Sequence, residues 1–117
     1  MRRRRAAAAA AVLAAASLAC GALSTEEQLL AEFFRAARLR DSTRVARVAD
    51  VDFDPRAEGV VERFWVTEAL PSREAGERVL RLDARVRRAG GSIQARELTA
   101  TLRRDSSGRW RVASLAG

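Results

Sequence analysis

The sequence predicts an α+β fold: two N-terminal helices packed on a curved four-stranded antiparallel sheet. Three observations carry that expectation. Between residues 25 and 49 apolar side chains recur at helical spacing. From Gly59 onward the period becomes two, in segments rich in Val, Phe, Trp and Thr. Short glycine-containing turns separate the last three of these segments, which suits an antiparallel meander.

Each element has its own local justification. Ser24 is placed to cap the first helix, with Glu27 three residues on in a capping-box arrangement where each side chain serves the other's backbone N–H. Glu26 and Glu27 complement the positive helix end. Leu29, Leu30, Phe33, Phe34 and Ala37 share one face, and Arg35, Arg38 and Arg40 fall near the carboxyl end, so the helix is expected over residues 25–40. Asp41 or Ser42 can cap a second helix over residues 43–49, with Val45 and Val48 inward. The segment DVDFDP ends it, because Pro55 blocks continuation.

Four strands follow. GVVERFWVTEAL (59–70) is apolar on both faces: Val60, Phe64 and Val66 point one way, Val61 and Trp65 the other. After the loop PSREAG, ERVLRLDARVRR (77–88) alternates Leu80, Leu82, Ala84 and Val86 with Arg81, Asp83, Arg85 and Arg87. A Gly90-Gly91-Ser92 turn leads to a third strand over 92–104, with Leu98, Ala100 and Leu102 inward. A Ser106-Ser107-Gly108 turn leads to the fourth, 109–115, with Trp110 and Val112 on one face. Phe33, Phe34, Leu82, Leu98, Leu102 and Trp110 are the expected core. No internal repeat or second domain interrupts the pattern.

The chain opens MRRRRAAAAAAVLAAASLACG. Arg2–Arg5, an uncharged alanine-rich run over 6–19, and small residues before Cys20 stand in the order an export signal requires. The run holds 14 residues, mostly Ala, whereas a membrane span needs about 20 strongly apolar ones. Ser17-Leu18-Ala19-Cys20 resembles a bacterial lipobox, with Ser17 where the common pattern has Leu. That resemblance implies cleavage between Ala19 and Cys20 and lipid on the Cys20 thiol. The expected organisation is a signal peptide over 1–19, the lipidated Cys and a short tether over 20–23, and one domain over 24–117. Two other readings stand beside it: ordinary cleavage near Ala14 to Ala16 or after Ala22, or a basic leader that is never processed. A lone cysteine in an exported chain calls for an explanation, and acylation supplies one.

Composition narrows the function. The net charge of +7 falls to +3 without Arg2–Arg5, so the basicity belongs largely to the export signal and nucleic acid is not an expected partner. There is no His, which removes the commonest general base and the commonest metal ligand. With Cys20 acylated no thiol nucleophile remains. No cofactor is expected.

The order of elements then resembles small bacterial lipoproteins with an NTF2-like (cystatin-like) domain. The residues that carry the resemblance are the helix ending FFRAARLRD and the closing hairpin LTATLRRDSSGRWRVASL, with Trp110 at the position of the closing Trp. It covers most of 24–117. It implies a helix laid across a curved sheet and dimerisation through that sheet. It does not choose among enzymes, ligand binders and assembly modules, all of which use the fold. No clear third helix precedes the sheet, so a small or closed pocket is expected.

Candidate chemistry is sparse. Asp50, Asp52 and Asp54 alternate as calcium ligands can, but the calcium-loop template wants Gly at its sixth position and Glu at its twelfth, where Pro55 and Val61 stand. The stretch is therefore read as a solvated, helix-terminating loop, and no metal site is expected. Glu62, Glu68, Asp83 and Glu97 could place two carboxylates in a pocket, though nothing in their spacing requires it. If helices cover only one sheet face, Trp65 on the other offers a partner or dimer surface, together with Arg81, Arg85 and Arg87; the alternative is that a loop or the chain's own terminus covers it. The same arginines could meet anionic headgroups, or simply face water with Asp83 and Glu97 as cross-strand partners.

The expected protein is thus a non-catalytic, lipid-anchored cell-envelope module facing the periplasm or the cell exterior. Its partners would be the membrane, through the Cys20 anchor, and a second copy or an envelope protein. The rival readings are a carboxylate-based pocket enzyme on the same fold and an exported structural subunit that dimerises through its sheet.

Overall fold

The computed structural model describes residues 24–117. Helix α1 (Thr25–Arg38) begins at Ser24, whose Oγ accepts from the Glu27 N–H at 3.1 Å. Only that half of the capping box matches the expectation. The Glu27 carboxylate accepts from the Ser24 hydroxyl at 3.2 Å rather than from a backbone N–H. The helix stops two residues earlier than its arginine-rich tail suggested. Arg40 turns left-handed at φ 56°, Asp41 N–H donates to Ala36 O, and Arg40 N–H donates to Ala37 O. This is the paired closure of a Schellman motif, with Arg where Gly is usual.

Asp41 then serves the next element. Its Oδ1 accepts from Arg44 N–H at 3.1 Å and caps α2 (Ser42–Val48). A third helix, α3 (Pro55–Glu58), is a single turn that the sequence reading did not anticipate. Pro55 opens it rather than blocking a longer helix. Its missing N–H costs nothing at the first helical position, and Asp54 Oδ1 accepts from Arg56 N–H at 3.0 Å.

Strands β1 (Val60–Leu70), β2 (Glu77–Arg87), β3 (Ile93–Arg104) and β4 (Trp110–Ala116) form one open antiparallel sheet in the order β1-β2-β3-β4. The helices lie on one face. Phe33, Leu30, Leu80, Leu82, Leu98, Leu102, Val86 and Val112 are fully buried between the layers. Phe34 stands at the centre of an aromatic group, 5.3 Å from Phe33, 5.8 Å from Phe53 and 5.4 Å from Phe64. Five of the six expected core residues are buried. The sixth, Trp110, is only half-buried, with the Arg104 guanidinium 5.1 Å over its ring.

Strand β1 departs from strict alternation. Val61 pairs with Val86 and Arg63 with Arg85, so Glu62 is an extra residue; a second irregularity makes Thr67 extra between Val66 and Glu68. The bulges change which side chains face the helices. Val61, Phe64, Val66 and Ala69 stand opposite the inward Val86, Ala84, Leu82 and Leu80. Val60 joins Trp65 on the open face, paired with Arg87. Plain alternation had put Val60 inside and Val61 out. A period-two reading cannot register an inserted residue, and here burial of two apolar side chains three apart decides the register.

Gly59 sets the entry into β1. It sits at φ 88°, and a Cβ there would lie 2.7 Å from both Arg87 O and Val86 Cγ1. Only glycine fits this close approach.

Candidate functional site

The sheet face opposite the helices carries the residues that the sequence singled out. On β1, Trp65 pairs with Asp83 and Arg63 with Arg85; on β2, Arg81 is opposite Glu68 and Thr99, and Asp83 opposite Glu97. Trp65, Arg81, Arg85 and Arg87 therefore share one surface. No described helix covers it, and Trp65 is 44% exposed.

Trp65 is held rather than free. The Arg63 and Arg85 guanidinia lie 5.7 Å and 5.2 Å from its ring centroid. Such stacks are worth about 0.5–1 kcal/mol each at exposed sites. Arg85 is oriented in turn by Asp83, with Nη1 to Oδ1 at 2.7 Å. The bulge at Thr67 turns Glu68 outward, where it meets Arg81 Nη1 at 2.6 Å. Arg81 Nε lies 3.3 Å from Glu97 Oε1, an electrostatic contact without hydrogen-bond alignment. Arg87 pairs with Glu62, and Arg103 with Glu77 at 3.0 Å.

This lattice bears on two readings of the arginines. Arg81, Arg85 and Arg87 each have a carboxylate partner, so the face is not a bare cationic patch for phosphates. It also accounts for the four candidate carboxylates. Glu62, Glu68, Asp83 and Glu97 each meet an arginine at the surface. Glu62 has its pKa lowered, first by the Arg87 hydrogen bond, then by the Arg87 charge, with a smaller effect of Arg38; partial burial opposes these.

The three aspartates of the DVDFDP loop have structural tasks. Asp50 binds Arg111, Asp52 Oδ1 accepts from the Phe53 N–H at 2.8 Å, and Asp54 caps α3. Among the described residues no group of three or more His, Cys, Asp or Glu side chains is brought together. Cys20 and Ala19, the expected lipidation and cleavage residues, lie outside the described residues. Among the described residues no helix is long and apolar enough to cross a membrane.

One feature was not anticipated. An open groove of about 450 Å³ runs between α1 and the free edge of β1, lined by Ala31, Phe34, Arg35, Arg38 and the stretch Val61 to Trp65. The sequence reading took Arg35 and Arg38 as charges complementing the helix end. Their i, i+3 spacing was the signal that they share a helix face. What they share it with, the β1 edge, depends on packing.

Comparison with family models, with curated proteins and with solved structures found no match.

Proposed function

We propose that this chain is a lipid-anchored cell-envelope protein whose small α+β domain, similar to NTF2-like domains, is a non-catalytic interaction module that pairs with a second copy of itself through its open sheet face. The observation that carries the pairing is the Trp65 surface. An exposed aromatic is clamped by Arg63 and Arg85, and around it Arg81, Arg85, Arg87 and Arg103 pair with five carboxylates (Glu62, Glu68, Glu77, Asp83, Glu97), Arg63 stacking on the ring alone. A charge-balanced, interleaved face can complement its own two-fold copy, whereas a single-sign face repels itself. Anchoring rests on the leader: four arginines, the alanine run and Ser17-Leu18-Ala19-Cys20. Only three residues separate Cys20 from the α1 cap at Ser24. They reach about 10 Å at full extension, so an acyl group on Cys20 would hold the domain against the bilayer.

Two measurements test this reading. The amino-terminal peptide from cells should begin at Cys20 with an acyl mass, and that mass should be lost in Cys20→Ser. A free thiol, or a different first residue, would remove the anchor. Sedimentation of the chain should show a dimer that Trp65→Ser or Arg85→Glu dissociates. A strict monomer at high concentration, or a complex formed only with another envelope protein, would remove the self-pairing.

A further inference from the structure

The groove between α1 and β1 combines two features. Its floor is apolar and aromatic: Ala31 and Phe34 from the helix, Val61 and Phe64 from the strand. Its walls are cationic: Arg35 and Arg38 from the helix, Arg63 from the strand. Among the described residues no hydrogen bond or close ion pair engages the Arg35 or Arg38 side chain, and the Arg38 charge reaches Glu62 only at longer range. The sheet arginines differ in this respect, since each of Arg81, Arg85, Arg87 and Arg103 has a carboxylate. The one carboxylate in the groove, Glu62, is already occupied by Arg87. The groove therefore keeps an unbalanced positive charge beside an apolar surface.

The size and the backbone narrow the occupant. Small-molecule pockets occupy about 300–1,000 Å³, and this groove lies at the lower end of that range. β1 is an edge strand, but the bulges at Glu62 and Thr67 interrupt its free edge, a device that discourages addition of another strand. An extended peptide is thus disfavoured. A guanidinium pair on one helix face suits a carboxylate or a phosphate head, and the Phe34–Phe64 floor suits a hydrocarbon tail.

We propose that this groove binds a single-chain anionic amphiphile, its acidic head on Arg35 and Arg38 and its tail along Phe34, Val61 and Phe64. The site uses α1 and the β1 edge and does not depend on the anchor; it shares Arg63 and Trp65 with the open sheet face.

Titration calorimetry on the full-length chain tests it, with dodecanoate, dodecyl phosphate and dodecanol below their micelle-forming concentrations. Octanoate, decanoate, acetate and inorganic phosphate complete the series. Each added methylene should tighten binding roughly three- to fourfold until the groove is filled. At least one anionic twelve-carbon ligand should bind tenfold or more tightly than dodecanol. The preference between carboxylate and phosphate identifies the head group. In Arg35→Gln/Arg38→Gln, the advantage of the anion over the alcohol should disappear while the urea midpoint stays close to that of the parent. The leader arginines are common to both proteins, so the difference between them reports the groove. The proposal is overturned if dodecanol binds as well as the acids, if acetate or phosphate binds as well as the long chains, if the double variant binds unchanged, or if no amphiphile binds.

Discussion

Arg111 on β4 grips Asp50 just beyond the end of α2, with Nη2 and Nε at 2.9 Å and 3.1 Å from Oδ1. The same guanidinium donates to Ala46 O, Arg47 O and Ala49 O at 2.8–2.9 Å. It thereby satisfies carbonyls at the carboxyl end of α2, which have no partner within a seven-residue helix. Beside it, Asp50 N–H donates to Val112 O at 2.9 Å. So short a helix is not stable by itself, and this docking is what keeps it formed.

Arg111→Met should accordingly cost about 2 kcal/mol or more, since charge-assisted hydrogen bonds contribute about 1.5–3 kcal/mol. Asp50→Asn should cost under about 1 kcal/mol, as expected for a largely exposed ion pair. Urea unfolding gives both values, and amide exchange should show α2 opening first in the Arg111 variant. Equal losses in the two variants would assign the effect to the ion pair and not to the carbonyls.

Gly59 and Gly91 share a positive φ, 88° and 90°, but differ in surroundings. A Cβ at Gly59 would collide with Arg87 O and Val86 Cγ1, whereas one at Gly91 meets nothing within 4 Å. Gly91→Ala should cost about 1–2 kcal/mol, the strain of the left-handed backbone alone. Gly59→Ala should cost more than about 3 kcal/mol, because the β1–β2 pairing must also shift. Thermal melts of the two variants measure the gap, and similar melting temperatures would contradict it.

Arg40 offers a gain. It holds the left-handed position that closes α1, where a Cβ is a liability. Arg40→Gly should stabilise the protein by about 0.5–1 kcal/mol, the strain relief exceeding the added freedom of the unfolded chain. A lower urea midpoint for the variant would show that the arginine side chain matters more than its backbone.

The acid limb of stability should be set in part by two carboxylates. Arg87 holds Glu62 below the ordinary value of 4.5. The Ser107 hydroxyl, with the Arg109 and Ser107 N–H groups, holds Asp105 below 3.8. A depressed folded pKa gives stability that is present above the unfolded pKa and lost as pH falls through the folded one. Stability should therefore be nearly flat from about pH 5.5 to 8, where no histidine titrates, and decline below about pH 4.5. Glu62→Gln and Asp105→Asn should each flatten that decline in urea titrations at stepped pH. A decline that is unchanged in both variants would assign it to other carboxylates.

Local signals reveal the two longer helices, the four strands and most of their boundaries. Leu30, Phe33 and Phe34 reveal α1 because a helix can bury them only on one stripe, and Leu80 to Val86 reveal β2 because alternation leaves one apolar face. Ser24 and Asp41 cap helices because their side chains act within three residues. Such signals are local, so they are legible in a string of letters. The shared face of Arg81, Arg85 and Arg87 also followed from alternation on β2, whereas Trp65 joins it through the β1–β2 register.

Tertiary structure decided what depends on pairing across the chain. The bulges at Glu62 and Thr67 exist only relative to β2, and they determine that Val61 is inside, Val60 outside and Glu68 within reach of Arg81. The one-turn helix at Pro55 forms where the chain turns into β1, with Glu58 tied to Arg96 at 2.9 Å. How each arginine is engaged is likewise a matter of register: Arg81 and Arg87 meet carboxylates of β1 and β3, while Arg35 and Arg38 face a β1 edge whose one carboxylate, Glu62, is held by Arg87. A charge's function depends on its neighbours in space, and those neighbours are fixed only when helix and sheet pack together.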